Sequence, residues 1–341
     1  MQRLMLEGPA TVSWAEAEEP ALPGPDAALV RPVAIATCDL DVAVLAGRYP
    51  LQGPYPFGHE GVIEVVQAGR QVTGVAPGDL AVLPFQISCG ACQPCRRGRT
   101  GNCAAHPWMS MYGLGEMGGL EWGGLLVDLV TVPHADAMLV KLPADVDPVA
   151  VASASDNIPD GWRTVGPQLA ADPAAEVLVV GGDAGPHSIG LYAAGLAVAL
   201  GAARVTYLDQ DPRRLAIAAA LGAHVIDSAP PRKAGAFPIT VDASGTPEGL
   251  RCALNSTAPD GTCTSPSIYL QDPALPLFSM YTRCCTLHTG RAHARPAIPP
   301  ILDLVAAGFN PSLVTSAVVP RSAAADALAH PPMKLVIDCT R

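Results

Sequence analysis

Four closely spaced cysteines constrain the fold of this chain more than any other feature. They lie within 15 residues, in the pattern Cys89-x2-Cys92-x2-Cys95-x7-Cys103. Four thiolates on one short lobe can complete a tetrahedral zinc shell with no position left for water or substrate. A closed shell is structural, because a catalytic zinc needs an open ligand position. The spacing therefore predicts a structural zinc lobe over residues 85–110, in preference to four unrelated thiols or a redox disulfide.

Cysteine usage and hydropathy indicate the compartment. The chain has ten cysteines in 341 residues, and no apolar signal segment follows Met1, so we expect a cytoplasmic protein with reduced thiols. Its longest apolar run, residues 189–203, has 15 residues, fewer than the roughly 18 needed to span a membrane. Five later cysteines lie in apolar stretches, where we expect buried, inert thiols: Cys252, Cys263, Cys284, Cys285 and Cys339.

Composition excludes two classes of protein. The hydrophobic content of 49% is too high for a disordered chain. The net charge is −10, and the densest basic stretch, residues 96–99, holds only three arginines. This balance argues against nucleic acid as the main partner. The length predicts two domains at roughly 150 residues each.

The pattern of predicted secondary structure changes near residue 156. Before it, short apolar runs such as 28–33 and 80–83 alternate with proline and glycine, as in a twisted sheet or partial barrel. After it, strands predicted at 176–180, 204–208, 239–241, 261–264 and 284–287 alternate with helices. Such alternation predicts a parallel, doubly wound sheet. A short helix at 298–308 and closing strands follow.

A glycine-rich loop follows the first of these later strands, from Gly181 to Gly190. Glycines at a strand-to-helix turn let the backbone approach a pyrophosphate. The spacing is longer than the usual fingerprint, so a purely structural glycine turn is the alternative. Asp209 ends the next strand, where a carboxylate can bind the adenosine ribose hydroxyls and repel a 2′-phosphate. This position favours NAD over NADP, although Asp209 could instead be a second helix cap beside Asp211.

Further candidate metal ligands are Cys38, His59, Glu60 and Asp156, each of which alone could be a packing residue. The motifs that contain these residues are similar to those of a known protein family. Together with the cysteine lobe, they resemble the zinc-dependent medium-chain dehydrogenase/reductase superfamily, which includes the alcohol dehydrogenases, over essentially the whole chain. These motifs are 37–41, 58–61 with Gly69 and Val72, 155–157, 241–245 and 333–336.

The resemblance implies an α/β architecture. It implies a β-rich, GroES-like catalytic domain (residues 1–155 and 292–341) and a Rossmann NAD-binding domain (156–291). Cys38, His59 and Asp156 are then expected to bind one catalytic zinc ion in the cleft between the domains. Glu60 is the acid behind the zinc that can enter its shell, and Asp41 orients His59. The expected cofactor contacts are Gly181, Gly182, Gly185, Ser188, Ile189, Gly190, Asp209, Arg214 and Lys334.

The sequence departs from the family pattern at three points. Leu40 replaces the serine or threonine whose hydroxyl relays the alcohol proton. Ile63 replaces a glycine, and the phosphate loop is longer than usual. The leucine bears on mechanism, because it cannot carry a proton.

The resemblance implies an NAD-dependent, zinc-containing dehydrogenase of a small alcohol or polyol, or of its carbonyl, with a homodimeric or homotetrameric assembly. Two alternatives stay open. One is a reductase of an activated C=C or C=N bond on the same scaffold, and the other is a non-catalytic relative of the fold.

Overall fold

The computed structural model describes the chain from Met1 to Arg341. Its strands are β1 (Gln2–Gly8), β2 (Thr11–Glu16), β3 (Ala28–Ala36), β4 (Tyr55–Pro56), β5 (Glu60–Ala68), β6 (Leu80–Leu83), β7 (Val130–Val132), β8 (Val140–Lys141), β9 (Glu176–Val180), β10 (Arg204–Asp209), β11 (His224–Asp227), β12 (Phe237–Asp242), β13 (Thr257–Ser265), β14 (Thr286–Thr289), β15 (Ala317–Pro320) and β16 (Leu335–Asp338).

The α-helices are α1 (Asp39–Leu45), α2 (Gln93–Arg96), α3 (Gly115–Gly118), α4 (Ala135–Met138), α5 (Asn157–Ala171), α6 (His187–Ala199), α7 (Pro212–Ala220), α8 (Pro247–Ser256), α9 (Leu277–Arg283), α10 (Ala294–Ala306) and α11 (Ala324–Ala329). None of them combines the length and the apolar character that a membrane crossing requires.

The chain forms two compact units. The first contains residues 1–159, 293–303 and 315–341, and the second contains residues 160–292 and 304–314. Asp156 therefore belongs to the first unit, whereas the sequence-based division places it in the Rossmann domain. Residues 304–314 belong to the second unit, whereas that division places them in the catalytic domain.

The first unit is β-rich. It holds a three-stranded sheet in the order β2-β1-β4 and a larger sheet in the order β15-β16-β3-β5-β6-β8, with β7 also paired to β3. Most neighbours in the larger sheet are antiparallel, and only β15 and β16 run parallel. Strand β3 is buried at eight of its nine positions, as expected for the central strand of a core.

The second unit is a six-stranded parallel sheet in the order β11-β10-β9-β12-β13-β14. The order reverses direction at β9 and β12, so the switch point lies where these two strands end. Helix α7 has clear capping residues. Asp211 accepts hydrogen bonds from two backbone N–H groups of the first turn, and Pro212 occupies the first helical position. Gly222 follows the last turn at a positive φ of 95°.

Three local predictions were wrong in detail. Strand β14 begins at Thr286, because Cys284 is the left-handed C-cap of α9, with a φ of 55°. Helix α10 begins at Ala294, four residues before the predicted start at Ile298. Among the five later cysteines only Cys252 and Cys263 are buried, whereas Cys284 is exposed and Cys285 and Cys339 are partly buried.

Candidate active site

Strand register in the first unit explains why distant residues meet at one point. Strand β3 pairs with β5 so that Ala36 lies opposite Glu60, and it pairs with β16 so that Ala36 lies opposite Val336. The chain just beyond β3, which includes Cys38, is therefore close to His59 and to Lys334. The Gly61 N–H donates to Ser155 Oγ at 2.7 Å, which fixes the turn carrying Asp156 against β5.

Gly61 has a packing reason to be glycine. A Cβ atom there would lie 2.3 Å from the Ile35 side chain and 2.9 Å from the Ala34 carbonyl oxygen. Because β3 and β5 approach closely at Gly61, Cys38 after the end of β3 lies near His59 before the start of β5.

The three predicted ligands converge. The Cys38 sulfur, a ring nitrogen of His59 and a carboxylate oxygen of Asp156 all lie within 4.8 Å of one another. Cys38 is the N-cap of α1, and Asp156 stands between a short 3-10 turn and α5. All three residues are buried. One thiolate, one imidazole and one carboxylate form a zinc ligand set that leaves a fourth position open.

His59 is held between two carboxylates. Its Nε2 is 3.3 Å from Asp156 Oδ2, and its Nδ1 is 3.4 Å from Asp41 Oδ1. A proton on Nδ1 facing Asp41 leaves the Nε2 lone pair for a metal ion, which is the second-shell arrangement expected for Asp41. Asp41 is fixed in turn, since its Oδ2 accepts the Cys38 backbone N–H at 3.0 Å. The ring of Phe85 packs on His59 with a centroid distance of 5.9 Å.

Glu60 is fully engaged by its neighbours. Its Oε1 accepts the Asn157 backbone N–H at 3.0 Å. Its Oε2 accepts from Ser153 Oγ and from Lys334 Nζ, both at 2.9 Å. Lys334 also donates to the Thr37 carbonyl and to Asn157 Oδ1, and its side chain is completely buried. The structure thus places Lys334, expected at the cofactor, beside the predicted zinc ligands.

The charges of this cluster fit a divalent cation. Burial, with the carboxylates of Asp156, Glu60 and Asp41, raises the pKa of Cys38 well above its ordinary value. Burial also raises the pKa of Asp41, and it raises that of Glu60 to about 7 despite Lys334. Burial alone would lower the pKa of His59, but Asp41 and Asp156 raise it to about 9. Cys38, Asp41 and Glu60 thus retain protons chiefly because burial disfavours their charged forms, and a bound zinc ion would favour the deprotonated ligands.

Two residues of this network were not predicted to belong to the site. The sequence places Asn157 within the 155–157 motif and gives no signal for Ser153. Asn157 Nδ2 donates to Cys38 Sγ at 3.1 Å, and Ser153 donates to Glu60.

The four cysteines of the lobe also converge. Their sulfur atoms lie within 4.8 Å of one another. Three of the sulfur atoms accept hydrogen bonds from backbone N–H groups, each at 3.4 Å. The N–H of Cys89 donates to Cys103 Sγ, that of Cys92 to Cys89 Sγ, and that of Ala104 to Cys92 Sγ. Hydrogen bonds from backbone N–H groups lower the pKa of Cys92 to about 6. Such donors stabilise thiolates, which are the form that binds zinc.

The glycine-rich loop lies at the end of β9 in the second unit. A Cβ atom at Gly185 would lie 1.9 Å from the Ala243 carbonyl oxygen, and one at Gly190 would lie 2.8 Å from the Ala243 side chain. The loop therefore packs tightly on the end of β12, and glycine is required for that approach. Helix α6 begins at His187, so the backbone N–H groups of Ser188 and Ile189 belong to its first turn.

Asp209 is buried at the end of β10, and both of its oxygens already accept hydrogen bonds. Arg214 binds it in a bidentate manner, with both distances 2.7 Å. Oδ1 also accepts the backbone N–H groups of Gln210 and Asp211, and Oδ2 accepts the Tyr207 hydroxyl. Burial would raise the pKa of Asp209, but Arg214 and these donors hold it below its ordinary value. The same guanidinium contacts Asp183 of the glycine-rich loop at 2.8 Å.

Comparisons with known proteins agree with this architecture. Residues 24–144 match the alcohol dehydrogenase GroES-like domain, and residues 188–306 match the zinc-binding dehydrogenase domain. A probable zinc-binding alcohol dehydrogenase of Mycobacterium tuberculosis is 31% identical over 317 residues, which cover 90% of this chain and 79% of that protein. The chain belongs to the zinc-binding medium-chain alcohol dehydrogenase superfamily.

Two further relatives of this dehydrogenase are informative. The alcohol dehydrogenase of Thermus sp. ATN1 has 27% sequence identity and a TM-score of 0.85, with 99% of each chain covered. A glutathione-independent formaldehyde dehydrogenase of Pseudomonas aeruginosa is 36% identical over 209 residues, which cover 58% of this chain and 50% of that protein.

The family membership confirms the predicted fold class and the assignment as an enzyme. This dehydrogenase has a GroES-like β-rich domain and a six-stranded parallel Rossmann-like sheet. It is a zinc-dependent oxidoreductase that resembles the alcohol and polyol dehydrogenases, with a Cys-His-Asp catalytic site and a four-cysteine structural site. Its family acts on small alcohol or carbonyl substrates. The non-catalytic alternative is therefore set aside.

Proposed function

We propose that this enzyme transfers a hydride between NAD and a small alcohol or polyol, or its carbonyl, at the Cys38–His59–Asp156 centre. The observation that supports the proposal most directly is the convergence of these three ligand atoms within 4.8 Å. A zinc ion held by Cys38, His59 and Asp156 would supply a Lewis acid for the substrate oxygen, and a bound NAD would supply the hydride acceptor.

The residues around the ligands have separate tasks in this proposal. Asp41 holds the His59 ring in the tautomer that presents Nε2. Lys334 and Ser153 hold the Glu60 carboxyl group beside the ligands, where burial raises its pKa to about 7. Leu40 leaves no side-chain hydroxyl at the relay position, so the alcohol proton must leave through water, the ribose hydroxyls or Glu60.

We infer a preference for NAD from the surroundings of Arg214. A free arginine near the end of β10 would attract a 2′-phosphate, but this one faces Asp183, Asp209 and Asp211. Three carboxylates around one guanidinium leave net negative charge, which repels a phosphate dianion. A ribose hydroxyl can still donate to Asp209, although it must share oxygens that Arg214 already occupies.

The cofactor preference is tested by binding titrations with NADH and NADPH. We expect tighter binding of NADH in the wild type, and we expect Asp209→Ala to free Arg214 and shift the preference toward NADPH. Arg214→Met in the same background is the matched control, because it should abolish the gain. A wild type that binds NADPH tenfold more tightly, a difference of about 1.4 kcal/mol, would contradict the inference.

The reaction itself is tested with an alcohol, polyol and aldehyde panel, followed by nicotinamide absorbance and accompanied by metal analysis. We expect turnover with at least one class of substrate and two zinc ions per chain. Cys38→Ser should lose one zinc ion and the activity, whereas the partly buried Cys339→Ser should lose neither. Full activity in Cys38→Ser would exclude a zinc mechanism.

One observation favours a second reaction. Leu40 removes the hydroxyl relay that alcohol oxidation uses elsewhere in the family, and reduction of an activated C=C or C=N bond does not need that relay. Enones and imines therefore belong in the same panel with NADH and NADPH. Turnover confined to these substrates would favour the reductase.

An exposed edge supports the expected homodimer or homotetramer. Strand β14 ends the six-stranded sheet, and α9 next to it in sequence exposes Leu277, Phe278 and Tyr281, the last two at 81% and 79%. Large apolar side chains on a surface of this kind are typical of protein interfaces. Light scattering should give a mass of at least two chains, and Phe278→Ser with Tyr281→Ser should reduce it.

A further inference from the structure

The side chain of Asn157 occupies an unusual position next to the proposed catalytic ligands. It directly follows Asp156 and is completely buried. Its Nδ2 lies 3.1 Å from Cys38 Sγ and 3.5 Å from Asp156 Oδ2. Its Oδ1 lies 2.7 Å from Lys334 Nζ and 3.2 Å from the Asp39 backbone nitrogen.

The orientation of this amide follows from its partners. The Lys334 ammonium and the Asp39 N–H can only donate, so the side-chain atom that faces them must be the carbonyl oxygen. The NH₂ group then necessarily faces the sulfur and the carboxylate. A flipped amide would set two donors against Lys334 and an oxygen against a thiolate, which is unfavourable on both sides.

We propose that Asn157 is a positioning residue of the metal centre, whose amide N–H···S bond to Cys38 sets the strength with which this thiolate donates to zinc. The proposal rests on the proposed zinc site, because it concerns the ligand sulfur of that site.

The physical basis is charge withdrawal from sulfur. A thiolate that accepts a hydrogen bond carries less charge toward the metal, so the metal keeps more of its positive charge for a substrate oxygen. Cys38 Sγ accepts a second, weaker bond from the Leu40 backbone N–H at 3.4 Å. The Asn157 bond is shorter, and Lys334 polarises the same amide from its oxygen side, which strengthens the N–H as a donor.

A purely structural role for Asn157 makes a different prediction. If the side-chain amide only anchored Lys334 and the Asp39 N–H, then Asn157→Asp would preserve the function, since a carboxylate oxygen accepts from both donors at least as well. If the N–H···S bond matters, the same substitution should be harmful, because it places a carboxylate against the thiolate.

Cadmium NMR of protein loaded at both metal sites provides the test. A one-sulfur site and a four-sulfur site give well-separated resonances, so the four-cysteine lobe is an internal reference. In the wild type we expect a through-hydrogen-bond coupling between the one-sulfur cadmium and the Asn157 side-chain amide protons. Its absence in the intact, loaded protein would overturn the proposal without any variant.

Three variants complete the experiment. Asn157→Leu removes all side-chain polar contacts at similar volume, and Asn157→Asp replaces the donor by a carboxylate oxygen while keeping an acceptor for Lys334. We expect both to shift the one-sulfur resonance, to leave the four-sulfur resonance unchanged and to lower kcat/KM by about tenfold or more. Ser153→Ala is the matched control, because it removes a hydrogen bond to Glu60 and touches no sulfur. A shift of the one-sulfur resonance in Ser153→Ala equal to that in Asn157→Asp would contradict a specific effect on Cys38.

The metal readout separates this proposal from the proposed reaction. If no alcohol in the panel is oxidised but the coupling is present, the reaction is wrong and the role of Asn157 stands. If alcohols are oxidised and the coupling is absent, the role of Asn157 is wrong and the reaction stands.

Discussion

Lys334 Nζ lies 2.9 Å from Glu60 Oε2, and both side chains are completely buried. An ion pair without solvent contact behaves asymmetrically. Its net contribution to stability is small, but removal of one partner leaves an uncompensated charge in the core. The pair also limits two predictions made from the sequence. A cofactor contact for Lys334 and a zinc contact for Glu60 would each compete with hydrogen bonds that these side chains already make.

Lys334→Met should therefore destabilise the first unit markedly. We expect a loss of about 3–5 kcal/mol at pH 8, the usual range when one member of a buried pair is removed. Urea unfolding of the zinc-loaded protein measures the loss. In the double variant Glu60→Gln, Lys334→Met we expect most of the stability to return, because neither member of the pair is left as an unpaired charge. An equal loss in the single and double variants would show that packing of the lysine stem, not its charge, is what matters.

The four-cysteine lobe gives a prediction that does not depend on activity. Cys95→Ser should remove one zinc ion per chain and lower the melting temperature, because structural zinc sites contribute directly to folding. Metal analysis and thermal unfolding measure both effects. Cys284→Ser is the matched control, since this cysteine is exposed and belongs to neither cluster. Freshly purified, unchelated wild type without zinc would refute the prediction.

Asp209 gives a pH dependence with a definite sign. Its pKa is lower in the folded protein than its ordinary value of 3.8. The stabilisation is therefore fully present above about pH 4, and it is lost as the pH falls through the folded pKa. We expect the stability difference between the wild type and Asp209→Asn to be constant from pH 5 to 7 and to shrink below pH 4. Denaturant unfolding across this range measures it, and a difference that grows toward acid pH would disprove the assignment.

The sequence predicted the elements whose signals are local. Asp211, Pro212 and Gly222 delimit α7 because capping, φ restriction and positive φ act within one turn. The cysteine spacing likewise predicted a cluster, because short connections force the sulfurs together. The start of β14 was misplaced because Cys284 adopts the left-handed conformation, which favours glycine or asparagine and carries no signal at a cysteine.

The surroundings of the ligands could not be predicted in this way. Lys334 is 274 residues from Glu60 in sequence and reaches it only because β16 pairs with β3. Asn157 was adjacent to a predicted ligand, yet its role depends on the direction of its amide, which Lys334 and Asp39 fix. Asp209 accepts hydrogen bonds from five donors, which include the Tyr207 hydroxyl and two backbone amides of the following turn. The position of Asp209 at the end of a strand does not predict these donors.

Leu40 stands at the position where the family resemblance implies a relay hydroxyl, so it offers a test of the proposed proton route. It is half-buried, and its backbone N–H donates to Cys38 Sγ, so its side chain can be changed without removal of that contact.

Leu40→Ser restores a hydroxyl at the relay position. If proton release limits alcohol oxidation, this variant should have a higher kcat than Leu40→Ala, which leaves a similar cavity and no hydroxyl. The comparison between serine and alanine removes the effect of lost packing, because both variants lose the same part of the half-buried leucine side chain. Steady-state oxidation at several pH values, with the solvent isotope effect as a second readout, measures the difference. Equal rates and equal isotope effects in the two variants would mean that the proton already leaves by a route that bypasses residue 40.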